Sequence, residues 1–175
     1  GHDLGGHQQF LGNDPELYLR WMQYGVFTPL FRTHATSWPP DIERRIWKYS
    51  NFTQLRDAVN LRYRLMPYIY NAAREAYDTG IAICRPLYYY WPEHNEAYDN
   101  EGEYMFGSNM LVAPVTKRSG EDKLVESSVW LPEGLWFDVC KNRMVKGNTT
   151  ITQTYTLDDT PRFVKAGSVI PCYPH

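Results

Sequence analysis

A chain of 175 residues is enough for one ordinary domain or a large piece of a bigger protein, with a sizeable buried core. Lys and Arg number 18 against 20 Asp and Glu, a net charge of −2, which argues against both a basic field for nucleic acid and a polyacidic tail. No apolar run approaches the roughly 20 residues of a membrane helix, and the first residues lack a signal-peptide pattern, so a soluble chain without a membrane partner is expected.

The first element begins at Asp14-Pro15-Glu16. Asp can cap free amides, Pro is pre-set for the first helical position, and Glu favours the positive end of the helix dipole. A helix is expected to about Tyr24, with Leu17, Tyr18, Trp21 and Met22 as its apolar face and Gly25 as its left-handed end. The apolar run Val26-Phe27-Thr28-Pro29-Leu30-Phe31 is predicted as a buried strand ending in Arg32-Thr33-His34.

From about Asn51 to Thr79 apolar residues recur at helical spacing (Leu55, Val59, Leu65, Ile69, Ala73, Ala76), and Gly80 stops the run. Pro67 removes a backbone donor and crowds the preceding turn, so a kink or break is predicted near Leu65 and Met66.

After Gly80 the pattern becomes six β-type stretches: 81–90, 104–115, 125–131, 135–139, 149–157 and 162–170. Turn residues at Pro132-Glu133-Gly134 and Lys146-Gly147-Asn148 punctuate them, which argues for an antiparallel sandwich. The fold class is therefore α/β plus all-β, with domains at 1–82 and 83–175. Tyr88, Tyr90, Phe106, Trp130 and Trp136 are expected to lie in core and interface.

Cys84, Cys140 and Cys172 show no CxxC spacing and cannot all pair, so they are read as buried thiols and no structural zinc site is expected. The sequons at Asn51 and Asn148 leave the compartment open.

A helix, a buried strand with a polar end and another helix follow the alternation of a parallel α/β protein. Gly1-His2-Asp3-Leu4-Gly5-Gly6-His7 and Phe31-Arg32-Thr33-His34 then occupy the place where such barrels carry binding residues. Gly5-Gly6 lacks dinucleotide-binding spacing. Taken alone, a His after a strand is more often structural than a ligand.

The order His2-Asp3-Leu4-Gly5-Gly6, Asp14 to Trp21, Phe27 to His34, Leu61 to Tyr70, Arg85-Pro86-Leu87, Met105-Phe106-Gly107, Leu111 to Val115, Leu131 to Trp136 and Val164 to Gly167 resembles glycoside hydrolase family 31 over nearly the whole chain. The resemblance implies a (β/α)8 TIM barrel, with Gly1 near the end of its seventh strand and Phe31 to His34 closing its eighth. It gives His34 a hydrogen bond to the sugar in the catalytic subsite and puts Arg32 and Asp3 in or behind the same pocket. Asp3 and Arg32 are expected to pair, because a planar guanidinium suits a carboxylate. Their role as braces of the rim alone stays open.

Family members often carry an aromatic residue where His7 stands and Asn where Thr33 stands. His7 is either a specificity feature near the sugar or a polar loop residue.

Retaining hydrolysis needs two carboxyl groups about 5 Å apart. In the family both are aspartates in Asp-x-Asn-Glu and Trp-x-Gly-Asp contexts, and neither context occurs here, so no catalytic residue is assigned to this chain. Asp14, Asp57 and Asp78 are read as a helix cap and exposed helix positions.

The resemblance thus implies a retaining α-glucosidase that needs no cofactor or metal, with this segment inactive alone. Its partners would be an α-linked oligosaccharide and the remainder of the barrel, from upstream polypeptide or another chain. An α-xylosidase of the same family and a non-catalytic carbohydrate-binding β-sandwich are the alternatives.

Overall fold

A computed structural model describes residues 1–8, 12–37 and 42–174. Helix α1 spans Pro15–Val26, and Asp14 caps it by accepting the Leu17 amide at 3.1 Å. It runs past the expected end because Gly25 is an interior residue. A Cβ there would meet the Leu4 side chain at 2.5 Å, so this glycine serves close packing and not a left-handed cap. The buried face is Tyr18, Leu19, Met22 and Val26, whereas Leu17 is exposed.

The strand predicted over Val26 to Phe31 does not form. Arg62, itself buried, donates through Nη1 to the Val26 and Thr28 carbonyls and through Nη2 to that of Pro29 at 3.0 Å. The Thr28 hydroxyl lies 2.8 Å from the Gly25 carbonyl and 2.9 Å from that of Leu30. These contacts occupy the carbonyls that a strand would offer to a neighbour and fold the segment into a turn after α1. Parallel pairing survives as one bridge, Leu4 to Thr33, with the Leu4 amide on the Arg32 carbonyl at 3.1 Å.

Helices α2 (Phe52–Arg64) and α3 (Met66–Thr79) meet at Leu65, with Pro67 in the first turn of α3. The predicted break is thus present and falls where proline's missing donor costs nothing. Gly80 ends α3 at φ 74°.

Eight strands follow: β1 Cys84–Pro86, β2 Tyr104–Phe106, β3 Met110–Val112, β4 Val125–Leu131, β5 Leu135–Asp138, β6 Arg143–Lys146, β7 Thr149–Tyr155 and β8 Arg162–Lys165. A short helix, α4 (Glu96–Asp99), lies between β1 and β2. All pairings are antiparallel, in one sheet ordered β1-β2-β3-β8-β5-β6 and a second of β4-β7. The stretch 104–115 is a hairpin of two strands. Strand β6 escaped the sequence pattern because Arg143, Met144 and Lys146 are all exposed.

Alternation along the large sheet separates two cores. Met105, Leu111 and Phe163 face β4–β7 and pack with Val129, Trp130, Leu131 and Trp136. Phe106, Met110 and Val112 face the helices and pack with Tyr18, Leu19, Leu55, Tyr68 and Ile69. Phe106, Trp130 and Trp136 are buried as expected, but Tyr88 and Tyr90 are exposed, since the chain leaves strand geometry after Pro86 for a 3-10 turn at Leu87–Tyr89. Cys84 and Cys140 are half-buried and Cys172 is exposed, so the buried-thiol reading fails for Cys172, which sits in the C-terminal tail. No helix among the described residues is long and apolar enough to cross a membrane.

The helices and sheets share a polar seam. Buried Arg85 pairs with Glu75 of α3 at 3.0 Å, and Ser108 also bonds Glu75. From α1, Gln23 donates to the Leu157 carbonyl at 2.7 Å and Arg20 to that of Thr156 at 3.0 Å.

Candidate functional site

Two loops lie side by side before α1 and after the turn that follows it. The Leu4 amide binds the Arg32 carbonyl, and the Thr36 amide binds the His7 carbonyl at 2.9 Å. Between them Gly5 and Gly6 take φ of 87° and 88°, a left-handed pair closed by the Gly6 amide on the Asp3 carbonyl at 2.9 Å. A Cβ on Gly5 would meet the Tyr18 ring at 2.7 Å. The turn therefore requires glycine, and it aims Asp3 and His7 at the second loop.

There Asp3 Oδ1 accepts from Arg32 Nη2 at 2.5 Å, the pairing expected from the sequence. Its other oxygen, Oδ2, lies 3.3 Å from His34 Nδ1 and 3.2 Å from His7 Nδ1. The two imidazole nitrogens are 3.1 Å apart, with the rings 5.0 Å between centroids and 12° from parallel. The Arg32 guanidinium hydrogen-bonded to Asp3 holds its carboxyl below the usual carboxylate range, so Asp3 is an anion at neutral pH. Each His side chain is 47% exposed and that of Asp3 23%, so the cluster is an open rim that an incoming ligand can reach.

All four sequence-predicted residues, Asp3, His7, Arg32 and His34, are thus brought together. His7 is drawn in as closely as His34, because the Gly5-Gly6 turn reverses the chain after Asp3. Asp14 is engaged as the cap of α1 and pairs with Arg118; Asp57 lies beside Arg56 at 3.6 Å and Asp78 beside Arg74 at 2.7 Å, both on exposed helix surface.

Sequence reasoning missed Arg44. Its Nη2 donates to the Gly5 carbonyl at 2.6 Å and to that of Gly6, its guanidinium lies 5.4 Å from the Tyr18 ring centre, and its carbonyl accepts the Tyr18 hydroxyl at 2.8 Å. This clamp holds the turn that aims Asp3, and no spacing in the sequence links residue 44 to residues 5 and 6. His2 turns away from the cluster: Nδ1 accepts from Trp21 at 3.1 Å, the ring stacks on Tyr24, and burial lowers its pKa.

A charged, His-bearing rim thus stands on a helical unit that is joined through a polar seam to an antiparallel β-domain. The glycosyl hydrolases family 31 TIM-barrel domain matches residues 1–72, and the glycosyl hydrolase family 31 C-terminal domain matches residues 80–170. The chain belongs to glycosyl hydrolase family 31.

It is 34% identical over 98% of its length to the 1,6-alpha-glucosyltransferase of Sporosarcina globispora and 37% identical over 98% to neutral alpha-glucosidase C of Mus musculus. It spans 14% and 19% of those proteins. Among solved structures, a GH31 alpha-xylosidase from a soil metagenome, complexed with xylose, superposes with TM-score 0.83 at 32% identity, covering 96% of this chain and 28% of that one.

Proposed function

We propose that the full-length protein carrying this chain is a retaining, exo-acting α-glucosidase that removes terminal α-linked glucose from oligosaccharides. In this reading residues 1–82 are the last strand–helix units of the (β/α)8 catalytic barrel and residues 83–175 the proximal C-terminal β-sandwich. The observation that carries it is the convergence of Asp3, Arg32 and His34 on one rim, in a chain of this family. His34 turns Nδ1 to Asp3, which leaves Nε2 for a sugar hydroxyl. Asp3, held by Arg32, fixes the imidazole orientation, as a carboxylate partner does for a working histidine.

The two carboxylates of the reaction belong, in this proposal, to barrel strands outside residues 1–175, and the segment alone is inactive. Large apolar side chains exposed on the helical half support a need for further barrel: Leu30 at 50%, Trp47 at 64% and Tyr70 at 76%. The second reading, an α-xylosidase, is supported by the likeness to the xylose-complexed enzyme.

The test is to follow the full-length protein on aryl α-glucoside and aryl α-xyloside by NMR. The expected result is faster hydrolysis of the glucoside with α-glucose formed first. β-Glucose appearing first would overturn retention, preference for the xyloside would select the second reading, and sugar transfer exceeding hydrolysis would make the protein a transferase.

A further inference from the structure

The triangle formed by Asp3 Oδ2, His7 Nδ1 and His34 Nδ1 has edges of 3.1, 3.2 and 3.3 Å. Two imidazole nitrogens and a carboxylate oxygen are the donor set that Zn2+ and its neighbours prefer. Tetrahedral Zn2+ with bonds of about 2.0–2.1 Å sets its ligands about 3.3 Å apart, so the triangle matches one face of that tetrahedron. Two Nδ1–H groups donating to Oδ2 would satisfy the oxygen but leave the nitrogens facing each other at 3.1 Å with no bond between them, whereas a cation at the centre is bonded by all three atoms.

The surroundings also suit an ion. Arg32 takes the other oxygen of Asp3 and so orients Oδ2, the part played by an outer partner of a metal-bound carboxylate. The left-handed Gly5-Gly6 turn and the Thr36 contact to the His7 carbonyl fix the backbone on both sides. Both rings are about half exposed, and the second torsion of an imidazole is broad, so turning both lone pairs to a common point costs little. Three donors leave the fourth position of the tetrahedron for water or another small ligand.

We propose that Asp3, His7 and His34 form a binding site for a divalent transition-metal ion, with Zn2+ as the best fit, and that the bound ion blocks the sugar pocket. The blocking half rests on the assignment of His34 and Asp3 to that pocket; the metal site rests on the triangle alone. His7 is the determining residue, since without it two ligands remain and a tetrahedral face is lost.

The experiment uses the full-length protein, freed of metal with a chelator and titrated with Co2+, whose visible absorption reports a tetrahedral environment. One equivalent is expected to develop the absorption. His7→Phe should weaken Co2+ binding by about tenfold or more while the metal-free melting temperature stays unchanged. Zn2+ should displace Co2+ and inhibit glycoside hydrolysis in competition with substrate.

A tetrahedral spectrum that survives in both His7→Phe and His34→Gln, or no binding by the parent protein, overturns the site. If Co2+ binds through His7 but glucose fails to displace it, the metal site stands and the sugar-pocket assignment fails. If Co2+ does not bind but His34→Ala weakens competitive inhibition by glucose, the metal site fails and the sugar-pocket assignment stands.

Discussion

The β-domain and the barrel end distribute burial in opposite ways. In the β-domain the largest side chains are inside and finished: Trp130 and Trp136 are almost fully buried, and the Trp136 indole donates to the Pro132 carbonyl at 2.9 Å. Asp138, fully buried, receives the Cys140 and Lys141 amides and the Gln153 side chain. At the barrel end the buried face of α1 is complete, yet the rim residues Asp3, His7, Arg32 and His34 stay accessible while Leu30 and Trp47 face outward. One region spends its side chains on packing, and the other holds polar groups ready for a partner. Substitutions in the first should therefore change stability, and those in the second activity.

The sharpest way to break that contrast is Trp136→Ala. Loss of a fully buried indole should cost about 3 to 5 kcal/mol in urea unfolding, and an unchanged midpoint with lost polysaccharide binding would instead make this region a binding module. Arg62→Met is next. It leaves the Val26, Thr28 and Pro29 carbonyls without their charged donor, for an expected loss of about 2 to 3 kcal/mol by the same measurement. Because the turn it holds leads into Arg32 and His34, activity should fall with it; a stable variant would show that the turn holds itself.

The smallest effect concerns Glu103, whose carboxyl burial pushes up from its ordinary 4.5 to about 8, with the Trp130 amide opposing the shift. The folded protein thus holds a proton there that the unfolded chain releases above about pH 4.5. Stability should fall as pH rises through that window to about 8, then level off. Glu103→Gln should match the parent near pH 4.5 and exceed it by about 1 kcal/mol or more at pH 8. Parallel pH–stability curves for the two would contradict the burial argument.

What could be read from the sequence followed locality. Asp14, Pro67 and Gly80 act on their own backbone, and each behaves as its chemistry dictates. The turn at Gly147 was read from its neighbours in the chain, but its need for glycine comes from further away, since a Cβ there would collide with the Pro132 carbonyl oxygen. The failed strand at Val26 to Phe31 was decided by Arg62, more than thirty residues away, which takes the carbonyls a strand would use. Strand β6 escaped because a polar edge strand carries little hydrophobic pattern.

At the site, Asp3, Arg32 and His34 were proposed through the family resemblance and the pairing of Asp3 with Arg32 through charge, whereas the contact of His34 with Asp3 came from the structure. The weight of His7 was not, since its place depends on a left-handed glycine pair that reverses the chain toward His34. Arg44 was invisible because its contacts are to carbonyls, which every residue offers.

The account turns on whether the rim cluster grips the sugar, and His34→Ala in the full-length protein tests this most directly. Measured on an aryl α-glucoside, kcat/KM should fall by about tenfold to a hundredfold, the 1 to 3 kcal/mol of a lost hydrogen-bond partner at the reacting ring, with the melting temperature unchanged. An efficiency within about twofold of the parent, on the scale where tenfold is 1.4 kcal/mol, would contradict the assignment of His34 to the sugar pocket.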